Sequence, residues 1–176
     1  DTREWTITAP LPVPETTITS GPPGATKETA ATLTFTATIP SATFKCRLDG
    51  GLYAPCTSPA TYAGLAQTSH TFEVFASAEG VDDPTPASRT WIVDTTAPTL
   101  SGAPTTAPNA AGWYAGPVTI HWTCDDTLSG VDGGCPADTV INGGGVGLTA
   151  GVSVADKAGN VSVAQSPAVN IDRQAP

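Results

Sequence analysis

The clearest chemistry in this chain belongs to four cysteines. Cys46 and Cys56 sit close together in its first half, and Cys124 and Cys135 in its second. One local pair per half, with no C-x-x-C and no neighbouring histidine, reads as two disulfides formed in an oxidising compartment. Zinc would want shorter ligand spacings and convergent partners. Buried free thiols are the alternative.

Loop oxygens come next. A hard cation such as calcium takes several oxygen ligands, and a loop can present carboxylates and backbone carbonyls together. Asp125, Asp126, Asp132, Asp156 and Asn160 all fall in loop-like stretches of the second half, and Asp94 and Asp172 mark its two ends. No EF-hand spacing is present. The simpler reading makes these residues turn formers. Apart from calcium at those oxygens, no cofactor is expected.

Catalytic patterns are thin. His70 and His121 are the only histidines, and both are read as solvent-facing strand residues. Asp82-Asp83 and Asp125-Asp126 are adjacent carboxylates, but neighbours in a strand point to opposite faces and cannot flank one glycosidic bond. There is no G-x-S-x-G, H-E-x-x-H, P-loop or dinucleotide glycine pattern. Gly143-Gly144-Gly145 lacks the basic residue and helix start of a phosphate cradle. Lys27, Lys45 and Lys157 are not placed for an internal isopeptide. Asn160-Val161-Ser162 spells a glycosylation sequon, but its Asn is better explained by the turn it occupies. Trp113-Tyr114, flanked by glycine, form either a sugar-stacking platform or a plug closing one end of a fold, and the plug is preferred. The chain reads as non-catalytic.

The elements that would hold these residues are short strands. Thr32 to Ile39 alternates strictly, with Leu33, Phe35, Ala37 and Ile39 on one face. Thr43–Leu48 and Leu52–Cys56 flank Asp49-Gly50-Gly51, a hairpin turn that brings Cys46 towards Cys56. Pro55 and Pro59 argue that the return arm is an edge or leaves the sheet early. Phe72, Val74 and Ala76 share a core face, and Trp91 and Val93 lie on a closing strand. In the second half Val118, Ile120, Trp122 and Cys124 share a face. A final hairpin runs from Leu148 to Ala155 and, after Asp156-Lys157-Ala158-Gly159-Asn160, from Val161 to Ala164.

Punctuation repeats along the chain. Val93-Asp94-Thr95-Thr96-Ala97-Pro98 returns as Ile171-Asp172-Arg173-Gln174-Ala175-Pro176, and 78 positions separate Asp94 from Asp172. That span suits one small β domain. Arg3 to Pro10 echoes Arg89 to Val93. The expected organisation is an end strand or linker over residues 1–13, a first domain over 14–97 and a second over 98–176. With 18 glycines, 17 prolines and only 13% charged residues, the chain reads as all-β. A formal net charge of −9 argues against nucleic acid, since no Lys/Arg cluster exists to neutralise phosphates. It equally disfavours anionic membranes, and no apolar run is long enough to insert.

The block Phe44-Lys45-Cys46-Arg47-Leu48-Asp49-Gly50-Gly51, with Pro55-Cys56-Thr57-Ser58-Pro59, Ser69-His70-Thr71-Phe72 and Asp94-Thr95-Thr96-Ala97-Pro98, resembles the bacterial immunoglobulin-like repeats of large secreted and cell-surface proteins. The second half is similar to a sister group through Gly112-Trp113-Tyr114, Trp122-Thr123-Cys124, Ser129-Gly130-Val131 and Asp156-Lys157-Ala158-Gly159-Asn160. The resemblance implies two tandem Greek-key β-sandwiches arranged end to end, acting as stalk or spacer modules of an exported bacterial protein. It transfers no catalytic residue. Implied partners are neighbouring immunoglobulin-like repeats; an adhesive module would instead recognise a glycan or a cell-surface protein through its loops, and an accessory module would serve a secreted hydrolase. The first half carries Ala78-Glu79-Gly80-Val81-Asp82-Asp83-Pro84 where the second has Asp-x-Ala-Gly-Asn, so no ion site is expected at that turn.

Overall fold

The structure is a computed structural model in which residues 11–174 are described. The echo at Arg3–Pro10 lies outside them, and residues 11–13 form no strand. Two compact units result. Of the described residues, one comprises 11–24 and Thr29–Trp91, the other Ala25–Glu28 and 92–174. Every regular element among the described residues is a strand.

The chain first lays down β1 (Thr16–Ser20), β2 (Ala25–Thr26), β3 (Ala31–Ala37), β4 (Thr43–Leu48), β5 (Ala54–Cys56), β6 (Ala60–Tyr62), β7 (Ser69–Ala78), β8 (Val81–Asp82) and β9 (Ala87–Val93). In the first unit β1, β3 and β6 make a three-stranded sheet, and β9, β7, β4 and β5 form a larger one with β8 beside β7. Alternation decides what each presents inward. Ala31, Leu33 and Phe35 of β3 are buried, as are Phe72, Val74, Ala76 and Trp91 of the facing sheet. The rings of Phe35 and Phe72 lie 5.8 Å apart, so the two sheets close over one aromatic core. Ile39 falls beyond β3 and is only half-buried. At the β4–β5 turn Asp49 and Gly50 both have positive φ (51° and 70°), the primed geometry that matches strand twist. β5 is the sheet's edge and contains Pro55, where a missing N–H costs no ladder bond. A disulfide joins Cys46 to Cys56.

The second unit continues with β10 (Thr99–Pro104), β11 (Trp113–Tyr114), β12 (Val118–Asp125), β13 (Thr139–Ile141), β14 (Gly145–Leu148), β15 (Gly151–Ala155), β16 (Val161–Gln165) and β17 (Val169–Ile171). β10, β12 and β13 form one sheet, β11, β17 and β14 a second, and β15 pairs with β16. Their shared core holds Val118, Ile120, Trp122, Ala150, Val169 and Ile171. Cys124 is disulfide-bonded to Cys135. The stretch Leu148 to Ala155, expected as one hairpin arm, is split instead. β14 pairs with β17 and β15 with β16, and the chain changes sheets at Ala150. Ala150 is buried, and its N–H and carbonyl are both taken by Ser166, which holds the break in place. Trp113 and Tyr114, expected in a loop, form a short strand running parallel to β17.

The Trp122 indole needs a bare backbone opposite it. Gly102 of β10 faces Trp122 across the ladder, and a Cβ there would sit 2.5 Å from the ring. The indole N–H is satisfied by Thr139 Oγ1 at 3.1 Å, which leaves the ring little freedom to swing away. Gly102→Ala should therefore destabilise the second unit by about 1–3 kcal/mol. Urea unfolding of the variant would check this, with an unchanged midpoint counting against the close approach.

Candidate functional site

In the second unit three carboxylates converge. Ligand oxygens of Asp94, Asp126 and Asp156 all lie within 4.8 Å of one another, two of them on fully buried residues. Each comes from a different local device. Asp94 follows β9, where its N–H is donated to Thr26 O at 2.9 Å and its Oδ1 accepts the Thr96 N–H at 3.0 Å, an Asx turn. Asp126 follows β12, and its Oδ1 gathers the N–H groups of Ser129 (2.9 Å) and Gly130 (2.6 Å), curling the loop around one oxygen. Asp156 opens the turn between β15 and β16; its two oxygens accept from Asn160 N (2.8 Å) and Asn160 Nδ2 (2.7 Å). Gly159, at φ 88°, completes that turn in a conformation that suits glycine.

Cross-links join the three. The Ser129 N–H also donates to Asp94 Oδ2 at 3.0 Å, and Asn160 Nδ2 donates to Asp94 O at 2.8 Å. Burial pushes the Asp94 carboxyl up, but hydrogen bonds from Ser129 and Thr96 outweigh it and hold the group below its ordinary range. Asp94 is thus a buried anion.

Of the oxygens expected to gather, Asp126, Asp156 and Asn160 do so. Asp125 and Asp132 do not: both are exposed, Asp125 as the last residue of β12 and Asp132 in the loop beyond. Asp94, legible only as a boundary marker, is the member that sequence reasoning left out of the set. Its signal was the Asp-x-Thr Asx turn ahead of Ala97-Pro98.

The donor set suits a divalent cation. Two oxygens each about 2.4 Å from one calcium ion can be at most about 4.8 Å apart, and the three carboxylate oxygens here lie within that limit. Each carboxylate oxygen has two lone-pair directions, so it can accept an N–H and still face an ion. Among the described residues, no Lys or Arg forms a salt bridge with any of the three. Carboxylates gathered this closely repel one another when ionised, and a bound cation would offset that repulsion.

Asp82 is exposed and its neighbour Asp83 is buried, accepting from Thr16 N and Thr85 N at 2.8 Å each. Trp113 and Tyr114 are half-buried beside an open cavity of about 330 Å³ that Asn109, Ala115, Asp172 and Gln174 complete. His121 is exposed and paired with Asp138 at 2.7 Å.

His70 departs from expectation. It is buried, on the same face as Phe72, Val74 and Ala76, because positions two apart in a strand share a side. Its Nδ1 meets Asp49 Oδ2 at 2.7 Å and its Nε2 meets Ala66 O at 2.9 Å. Both partners are acceptors, so only the doubly protonated ring satisfies both contacts, and the pair favours the imidazolium form. In that form the ring has no lone pair for base catalysis.

The chain matches no known protein family profile and no curated protein. Among solved structures it is similar to the fibronectin(III)-like modules of CbhA from Clostridium thermocellum, at 14% identity and a TM-score of 0.42. The likeness covers 92% of this chain and 97% of that one.

Burial lowers the His70 pKa, but Asp49 and the Ala66 carbonyl outweigh it and raise the pKa above its ordinary 6.5. A raised folded-state value means full stabilisation below the unfolded pKa and loss as pH rises through the folded one. First-unit stability should therefore hold at pH 5–6 and decline on the alkaline side of 6.5. His70→Gln should flatten that decline. Denaturant midpoints across this pH range would check it, and an equal decline in the variant would remove His70 as the cause.

Proposed function

We propose that this chain is a non-catalytic structural spacer of an exported bacterial protein. It is built from two immunoglobulin-like sandwiches placed end to end, with calcium held at the lead-in to the second. The observation that carries this reading is Asp94. A carboxylate with no exposed surface, tied to the Ser129 amide and next to a carbonyl that takes the Asn160 amide, is a fixture and not a reagent. It fastens the segment entering β10 to a loop and a turn far along the sequence, as a fixed joint requires.

Supporting features are consistent in kind. The two disulfides suit an oxidising compartment outside the cytoplasm. The buried polar groups of the site are paired with each other and with backbone, which stiffens without creating a reactive centre. Calcium would draw Asp94, Asp126 and Asp156 together and relieve their mutual repulsion.

Two measurements test the reading. Millimolar calcium should raise the melting temperature of the second unit relative to chelator, through linkage, and Asp126→Ala with Asp156→Ala should abolish the rise. Identical melts in calcium and chelator would remove the ion and leave a hydrogen-bonded joint. Small-angle scattering should give a maximum dimension near the sum of two domain lengths; a particle no longer than one domain would contradict the spacer role.

A further inference from the structure

The backbone around Asp94 is built a second time around Asp172. β2 runs parallel to the end of β9, with Ala25 opposite Ile92 and Thr26 opposite Val93. β11 runs parallel to β17, with Trp113 opposite Asn170 and Tyr114 opposite Ile171. The next residue is an aspartate in both places. Asp94 donates its N–H to Thr26 O and Asp172 to Tyr114 O, each at 2.9 Å. Asp94 Oδ1 accepts the N–H two residues on, from Thr96 at 3.0 Å, and Asp172 Oδ1 accepts from Gln174 at 2.9 Å. Both then run into Ala-Pro.

What differs is the surroundings. Asp94 is buried because the Asp126–Gly130 loop and the Asp156–Asn160 turn close on it. Asp172 is exposed, beside the open cavity of about 330 Å³ formed with Asn109, Trp113, Tyr114, Ala115 and Gln174. At the Asp94 position, Ser129 N–H binds the side chain and Asn160 Nδ2 binds the carbonyl. Neither has a counterpart at Asp172 among the described residues.

We infer that Asp172 is the first half of a repeated joint, an interaction surface for a further domain of the second unit's kind. The occupant is defined by chemistry. It must bring a loop of the Asp126-to-Gly130 type, whose serine amide binds the Asp172 carboxylate. It must also bring an Asp-x-Ala-Gly-Asn turn, whose asparagine amide binds the Asp172 carbonyl. A domain of the first unit's kind would not serve, since that unit carries Ala78-Glu79-Gly80-Val81-Asp82 at its hairpin and buries Asp83 against its own Thr16. The inference rests on Asp94 being a joint in the sense proposed above, and it does not require calcium.

The test lengthens the full chain after Pro176 by a second copy of residues 99–176. Thermal unfolding is then followed for the original and lengthened chains, each with and without Asp172→Ala. In the original chain Asp172→Ala should leave the melt within about a degree, because the carboxylate is exposed and serves one local turn. In the lengthened chain it should lower the melting of the added domain by roughly 4–8 °C, the shift that a loss of about 1 kcal/mol gives a domain of this size. An equal effect in both chains, no effect in either, or an added copy that does not fold would overturn the inference. Asp94→Ala in the original chain separates the two claims. If it lowers the second unit's melt while Asp172→Ala does nothing in the lengthened chain, the joint at Asp94 stands and its repetition fails. If Asp94→Ala is also silent, the joint itself is wrong.

Discussion

The constraint on which the second unit depends is the burial of the Asp94 carboxylate. An ionised group removed from water costs several kcal/mol unless donors replace its hydration. Here the replacements come from Thr96 two residues on and Ser129 in the loop after β12, while the Asn160 amide takes the adjoining backbone carbonyl. None of these donors can drift without exposing the cost, so the lead-in, the loop and the turn are specified together. The same requirement reaches Pro98, which is buried and whose carbonyl accepts the Ser162 hydroxyl.

The first unit solves a similar problem with different residues. Asp83 is buried and accepts from Thr16 N, while Thr16 Oγ1 accepts from Ala76 N, so one acid and one hydroxyl couple β1 to β7. His70 closes the other gap, with its ring spanning Asp49 in the β4–β5 turn and the Ala66 carbonyl. On the exposed side of the same strands Arg47 makes a bidentate pair with Glu73 at 2.6 and 2.9 Å and stacks over the Tyr53 ring. That pair keeps Glu73 ionised below its usual range. Small sandwiches have little core to spare, and local polar pins and a disulfide supplement it.

Several misreadings share a cause. His70 was read as lying opposite the apolar face, but it has the parity of Phe72 and Val74, and Asp49 and the Ala66 carbonyl make its burial tolerable. Leu148 to Ala155 carries a continuous strand-like composition, yet β14 and β15 serve different sheets because Ser166 captures the backbone of Ala150 between them. Trp113 and Tyr114 looked like loop residues because a two-residue parallel strand is too short to show a period. Each outcome depended on a partner distant in sequence.

Alternation of apolar residues was enough to place β3, β7 and β12 and to name most of the buried side chains on them. The Asp49-Gly50 turn, the edge character of Pro55 and the pairing of neighbouring cysteines were equally local, since positive φ, a missing N–H and a short chain between thiols act over a few residues. The oxygen site was only half legible on the same grounds. Asp126, Asp156 and Asn160 announce turns, but whether those turns converge is not a local property. Asp125 was turned outward by its position at the end of β12, and Asp132 stayed exposed in the loop. Asp94 was drawn in because the second unit's loop and turn supply the donors its carboxylate and carbonyl need. Tertiary structure decided which carboxylates meet, because the energy that selects them, desolvation balanced by donors from remote segments, exists only once those segments are packed together.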